Sequence, residues 1–276
     1  MEKRRMCPNC RAFVDRSDHV CPYCDAKLGP RAIDRRSPAP IAGIIPGTQF
    51  TAAMILLINI GLYIVTAVFS MKLRDGRMAF DIPGQILAAF GAKYTPAIAA
   101  GEWWRLITAG FLHGGLLHIL MNSWALYGLA GQVEELYGSA RFIVFYIIST
   151  IFGFLASTFW SGALSVGASA GIFGLIGVMI AFGIQHDTSL GSAVRAHYTQ
   201  WAIYGLVMGL MPGFRVDNAA HLGGLAAGFA IGWLAGPPKL YESWRDTFWK
   251  AAAGVCLAVT AFSFLMMTLQ LLAVTR

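Results

Sequence analysis

Seven apolar blocks, the fifth of them short, are separated by connecting segments along most of this chain. They run over Phe50–Phe69, Leu116–Gly131, Phe142–Phe159, Gly167–Gln185, Trp201–Met211, Asn218–Leu234 and Ala251–Val274. Several approach the roughly 20 residues that a helix needs to cross about 30 Å of hydrocarbon. No block alternates as a strand does, and a spanning segment must satisfy its backbone groups internally. The pattern therefore predicts an all-α polytopic membrane protein with seven transmembrane helices.

Composition agrees with this fold class and narrows the function. Hydrophobic residues make up 57% of the 276 positions and charged residues 13%, against about 25% charge in soluble domains. This disfavours a soluble enzyme and excludes a disordered chain. Nine of the 21 Lys and Arg residues fall in the first 47 positions, so we expect a polar head (1–29) and a Pro-containing linker (30–47). The apolar blocks then divide the rest of the chain into a six-helix membrane core (48–236) and a cytosolic loop with the seventh helix (237–276).

The basic residues also predict orientation. With the head inside, inner segments carry 14 Lys and Arg residues and outer segments seven. This bias predicts a cytosolic N-terminus and an outer C-terminus, in a cell membrane. The net charge of +7 does not form a stripe interleaved with aromatic residues, so we expect a lipid bilayer and no nucleic acid as partner.

Four of the five cysteines lie in the head, as two C-x-x-C pairs: Cys7 with Cys10, and Cys21 with Cys24. Each pair can aim two thiolates at one ion, and the two pairs complete a tetrahedron. The arrangement resembles a zinc ribbon, with Zn²⁺ in a structural role and supplying most of the folding energy of so short a head. Two disulfides are the alternative, which a cytosolic setting disfavours.

Polar residues inside apolar blocks indicate where function lies. His118 and Asn122 are four residues apart in the second block, on one helix face. Ser169 lies in the first turn of the fourth block and His221 lies near the start of the sixth. The predicted topology brings these three blocks in from the outside, so all four residues are expected near the outer ends of their helices.

These residues supply the parts of acyl-transfer chemistry. Serine becomes a nucleophile when a base such as His221 takes its proton. Ser169 lies where helical N–H groups are unpaired, and those groups, with His118 and Asn122, can stabilise an oxyanion. Alone, each residue is more simply a helix cap or a structural hydrogen-bonding group. Small residues spaced along the fourth and sixth blocks favour close packing of these two helices.

The order and spacing of four motifs resemble the rhomboid family of intramembrane serine proteases. The motifs are the stretch from Gly101 through Trp-Trp-Arg to His113, His118-Ile-Leu-Met-Asn122, Gly167-Ala-Ser169-Ala-Gly171 and Ala220-His221-Leu-Gly-Gly224. The resemblance implies a six-helix core plus a seventh helix, transmembrane protein substrates, and no metal in the chemistry. It assigns Ser169 as nucleophile, His221 as base, and His118 and Asn122 to the oxyanion. It also matches Trp104 and Arg105 to the first-loop motif and Glu134 to an acidic position.

Two departures and two alternatives accompany this resemblance. Ala170 stands where the family often has glycine, and the seventh span and the zinc ribbon lie outside the family core. Asp217, one turn before His221, is a possible third catalytic group. An inactive rhomboid-like protein that binds transmembrane helices is the alternative function, although such relatives typically lose the serine or the histidine. A transporter is disfavoured because the two halves of the chain show no repeated, broken spans.

Overall fold

The computed structural model describes residues 4–7, 9–10, 12–15, 18–28, 49–73, 80–212, 216–238 and 244–274. The predicted linker at 30–47 lies outside these residues. The described part contains the two strands β1 (Arg4–Met6) and β2 (Phe13–Asp15) and the helices α1 (Phe50–Leu73), α2 (Gly84–Ala89), α3 (Thr95–Ala99), α4 (Arg105–Thr108), α5 (Leu116–Tyr137), α6 (Ser139–Trp160), α7 (Ser169–Gln185), α8 (Ser189–Met208), α9 (Asn218–Ala235) and α10 (Trp244–Val274). The protein is therefore mostly helical, as the hydrophobic pattern predicts.

Each of the seven apolar blocks lies almost wholly within one long helix. Three helices, over Phe50–Met71, Ser139–Trp160 and Asp246–Ala273, are long and apolar enough by themselves to cross a membrane. The fifth block is part of a longer helix than its apolar stretch indicated, because α8 begins at Ser189. The preceding residue, Thr188, caps this helix: its hydroxyl oxygen accepts a hydrogen bond from Gly191 N–H at 3.1 Å. The polar first half of α8 explains why that block looked short.

α7 lies at the centre of the bundle and packs in parallel with α9. A Cβ at Gly224 would collide with the backbone of Ala170, one at Gly228 with Gly174, and one at Gly232 would approach Val178 Cα at 2.9 Å. The three contacts advance by four residues on both helices, which is ridge-into-groove packing with backbones in contact. The predicted role of the small-residue runs is thus confirmed in the structure.

Residues 80–115, which precede α5, pack around the buried cation of Arg105. Its guanidinium donates to Glu102 Oε2 at 2.6 Å and to the carbonyls of Ala88 at 2.7 Å and Ala92 at 3.1 Å. It also donates to Gln270 Oε1 of α10 at 3.3 Å. A buried charge is tolerated when such partners surround it, so Arg105 joins α2, α4 and the seventh helix.

The seventh helix is packed against the core along most of its length. Near its start, Asp246 pairs with Arg141 of α6 at 2.9 Å, and the ring of Trp249 meets that of Phe145 edge to face. Further along, Phe264 packs on Phe111 with ring centroids 5.2 Å apart. α10 is therefore an integral part of the membrane body.

Candidate active site

Ser169 is the first residue of α7 and lies half-buried at its N-terminal end. The helical hydrogen bonds begin where Ile172 N–H donates to the Ala168 carbonyl at 3.0 Å. The N–H groups of Ser169 and its next two neighbours precede that ladder, as at any helix N-terminus. The serine hydroxyl thus lies beside N–H groups at the positive end of the α7 dipole.

Gly167 turns the chain into α7 in a conformation that other residues rarely adopt, with φ of +131°. Its N–H donates to the Ala109 carbonyl at 2.9 Å. A Cβ there would lie 2.6 Å from His118 Nε2 and 3.4 Å from Asn122 Nδ2. The side chains of His118 and Asn122 therefore contact the backbone two residues before Ser169.

His221 lies in the first turn of α9, and its ring stacks on Phe173 with centroids 3.9 Å apart. Phe173 is one turn along α7 from Ser169, on the same face. The parallel contact of Ala170 with Gly224 also puts Ser169 and His221 at nearly the same height. The structure thus brings the imidazole to the Ser169 face of α7.

Two nitrogen atoms in this group have no hydrogen-bond partner among the described residues. They are His221 Nδ1 and Asn122 Nδ2, both buried. His118 is different, because its Nδ1 accepts a long hydrogen bond from Gly114 N–H at 3.4 Å. With Nδ1 accepting, the proton lies on Nε2, which faces Gly167 as a donor. An amide donor without a partner among the described residues and an imidazole nitrogen therefore lie against Gly167, two residues before Ser169.

Asp217 serves α9 as a helix cap. One carboxylate oxygen accepts from Ala220 N–H at 3.0 Å, and the other accepts a short hydrogen bond from the Ser157 hydroxyl. Both oxygens are thus engaged away from the imidazole, while His221 Nδ1 has no partner among the described residues. Among the described residues, the Asp217 carboxylate is therefore not a hydrogen-bond partner of His221 Nδ1.

Sequence reasoning missed two residues that shape this site. Gly167 appeared only as part of a motif, and its positive φ was not anticipated. Phe173 was not singled out in the sequence, yet its ring stacks on that of His221. Its spacing of four residues from Ser169 was a usable signal, because that spacing repeats a helix face.

Glu134, matched by the family resemblance, lies at the opposite end of α5 and serves the fold. Its carboxylate accepts from the N–H groups of Thr51 at 3.2 Å and Ala52 at 3.1 Å, and from the Ser139 hydroxyl at 2.7 Å. It therefore caps the start of α1 and joins α1, α5 and α6.

The four cysteines of the head form a second cluster with metal-ligand geometry. Their sulfur atoms all lie within 4.8 Å of one another, and two pairs, Cys7 with Cys24 and Cys10 with Cys21, are 3.6 Å apart. Tetrahedral zinc with Zn–S distances of about 2.3 Å needs sulfur separations of about 3.8 Å. The backbone N–H of Cys10 lowers the pKa of the Cys7 thiol, and that of Ala26 helps to lower the pKa of Cys24 to about 6. In contrast, burial raises the pKa of Cys21, and the Ala12 N–H is outweighed by the Cys24 thiol and by burial, which together raise the pKa of Cys10 to about 12. The cluster can therefore hold a metal ion.

Comparison with known proteins identifies relatives of this chain. The family model described as Rhomboid domain matches residues 100–238, which contain α5 to α9. The chain is 37% identical over 155 residues to Rhomboid protease GluP of Bacillus subtilis, which covers 56% of this chain and 30% of that protein. It is 30% identical over 275 residues to Rhomboid-like protease 1 of Toxoplasma gondii, covering 91% of this chain and 90% of that protein. The aligned part thus spans less than a third of the Bacillus relative and nearly all of the Toxoplasma relative, and this chain belongs to the rhomboid family.

Proposed function

We propose that this protein is an intramembrane serine endopeptidase with Ser169 as nucleophile and His221 as general base. The observation that carries the proposal is the stacking of His221 on Phe173, one turn from Ser169, with the unpaired Asn122 amide beside the same helix start. Membership of a family with named proteases supports the same reaction class.

The reaction divides into acylation and hydrolysis. Ser169 Oγ attacks the scissile carbonyl carbon while His221 takes the hydroxyl proton, and the protonated imidazole then gives that proton to the leaving amine. Water, activated by the same imidazole, hydrolyses the acyl-enzyme and releases the second product. Among the described residues His221 Nδ1 has no carboxylate partner, so the packed ring of Phe173 supplies the orientation that a third group supplies in a triad.

Asn122 and His118 stabilise the oxyanion in each step. Their donor nitrogens face the backbone at Gly167, and the unpaired N–H groups at the start of α7 add donors from a third direction. Fixed donors in a site that excludes bulk water stabilise developing charge without reorganising first. The substrates are transmembrane proteins, whose scissile segment reaches Ser169 from the bilayer.

The positions of the charged residues support a cytosolic N-terminus, an outer C-terminus and a cell membrane as the location. Ser169 begins α7 and His221 lies in the first turn of α9, and the two helices run parallel. Both residues therefore lie at one membrane face, which this orientation makes the outer one.

A labelled fluorophosphonate probe tests the assignment without a known substrate. We expect the purified protein to be labelled at Ser169 and to cleave a panel of single-span model substrates, and expect Ser169→Ala and His221→Ala to do neither. The matched control is Ser192→Ala, which removes an exposed hydroxyl from α8 and should leave labelling unchanged. The alternative, an inactive rhomboid-like protein, predicts a different result. The folded wild-type protein would then bind model helices but would be neither labelled nor active.

For the head we propose a structural Zn²⁺ bound by Cys7, Cys10, Cys21 and Cys24. The four sulfur donors and their separations support zinc, which needs no further ligand in a closed structural site. When bound, the ion fixes the two turns of the head, and no step of proteolysis passes through it. Elemental analysis of the purified protein should find about one zinc per chain, with loss of binding in the Cys21→Ser and Cys24→Ser double variant.

A further inference from the structure

Lys93 is a fully buried lysine in the segment between α2 and α3. None of its surface is exposed. Its ammonium donates to the carbonyls of Ser161 at 2.6 Å and Ala163 at 3.0 Å. Burial lowers the pKa of Lys93, since the charged form loses its water. Charged lysines are rarely found inside proteins without a specific partner. The carbonyls of Ser161 and Ala163 are the partners of this ammonium group.

The backbone around Lys93 holds the same segment. Lys93 N–H donates to the Ser165 carbonyl at 3.0 Å, and Ser165 N–H donates back to the Lys93 carbonyl at 3.1 Å. Two residues later, the Thr95 hydroxyl donates to the Ser161 carbonyl at 3.1 Å. Five hydrogen bonds thus join residues 93–95 to residues 161–165.

The segment 161–165 leads directly to the nucleophile. It starts where α6 ends at Trp160, and only three residues separate it from Ser169. Gly167, within that interval, is held in turn by Ala109 and contacts His118 and Asn122. The 93–95 contacts therefore determine where the chain enters α7, and with it the position of the Ser169 hydroxyl relative to His221 and the oxyanion donors.

We propose that Lys93 and Thr95 form a clamp on residues 161–165 that positions Ser169 for reaction. The clamp rests on the proposed function of Ser169 and acts through the backbone, so Lys93 and Thr95 are positioning residues and not catalytic ones. The buried ammonium satisfies two carbonyls of an irregular segment that would otherwise be free to shift. A displacement of about 1 Å at a reacting group is enough to reduce a rate about a hundredfold.

The rate and the end point of fluorophosphonate labelling separate positioning from folding. The end point counts the chains with a competent Ser169, and the rate reports how well that serine is placed. We expect Lys93→Met, which keeps the length of the side chain but cannot donate, to reach the wild-type end point at a rate about ten- to a hundredfold lower. Thr95→Val should lower the rate about two- to fivefold, since one hydrogen bond is lost.

The control is Lys250→Met, which removes an exposed lysine from α10 and should label at the wild-type rate. With a model substrate, the clamp variants should lose kcat with little change in KM.

Two results for Lys93→Met would overturn the clamp. One is labelling at the wild-type rate, and the other is a lower labelling end point with an unchanged rate. If Lys93→Met does not fold, an unchanged labelling rate in Thr95→Val has the same consequence. Failure of the wild-type protein to label at Ser169 would instead overturn the proposed function.

Discussion

At the scale of single residues, the backbone before Ser169 is as constrained as the reacting side chains. Gly167 has a φ of +131°, and the place where its Cβ would be is bounded by His118 and Asn122. A side chain there meets a strained backbone and displaces the oxyanion donors at once. Gly167 is therefore part of the reacting geometry although it carries no functional group.

We expect Gly167→Ala to lose nearly all cleavage activity while remaining inserted and folded. The added methyl group would lie 2.6 Å from His118 Nε2, so the imidazole must move. Gly84→Ala is the control, because a Cβ at Gly84 has no heavy atom within 4 Å. Turnover of a model substrate and the melting temperature in detergent are the measurements. A fully active Gly167→Ala protein would show that His118 does not act from its present position.

Asn122→Ala should slow turnover less than Ser169→Ala does. Loss of one oxyanion donor typically reduces the rate about 10²- to 10³-fold, and His118 and the backbone donors of α7 remain. The decrease should appear in kcat with little change in KM, because the interaction forms in the transition state. Because the Asn122 Nδ2 donor has no partner among the described residues, its removal should cost little stability. Wild-type kcat in this variant would make Asn122 a packing residue.

At the scale of elements, the contact between α7 and α9 sets how closely Ser169 and His221, the proposed nucleophile and base, approach each other. The backbones touch at Gly224, Gly228 and Gly232, so a larger side chain at the middle position separates the two helices. We expect Gly228→Leu to destabilise the protein by about 1–3 kcal/mol or more and to abolish labelling of Ser169. Gly254→Leu on α10, where a Cβ meets nothing within 4 Å, should do neither. Thermal unfolding and labelling of both variants provide the comparison.

The long helices and the common depth of Ser169 and His221 were predictable from the sequence. The contacts that support the site, such as those of Lys93, were not. The apolar blocks located all seven long helices, and the shared depth of Ser169 and His221 followed from counting them. Lys93 was counted as an outer loop charge in the orientation argument, because a lone lysine between apolar blocks normally lies in water. Its burial depends on the carbonyls of residues 161 and 163, nearly 70 positions away in sequence. Such long-range partners leave no local pattern.

At the scale of the whole molecule, the head and the membrane body should be separable. The cysteine cluster lies within residues 7–24, and the candidate active-site residues lie within α5, α7 and α9. We expect deletion of residues 1–40 to remove the bound zinc but leave proteolysis in detergent largely intact. Metal content and cleavage rate of the purified truncated protein test this expectation. Loss of activity in a truncated protein that still inserts and folds would reveal coupling between the two parts.

The position of the cut in a substrate follows from the depth of Ser169 and His221. Ser169 is the first residue of α7 and His221 the fourth of α9, so at 1.5 Å per residue neither is more than about 5 Å from its helix start. Water can reach this level from one membrane face without crossing the bilayer. A substrate helix must also unwind there, because its scissile carbonyl is otherwise bonded within its own backbone.

Small or helix-weakening residues lower that cost, since glycine is about 1 kcal/mol less favourable than alanine in a helix interior. We therefore expect cleavage next to a small residue, in the outer part of a substrate transmembrane segment or just outside it. Mass spectrometry of both fragments locates the cut, and a matched substrate with leucine at the small position should be cleaved more slowly. A cut in the cytosolic half would overturn either the orientation or the assignment of Ser169, and labelling of Ser169 by the phosphonate probe decides which one.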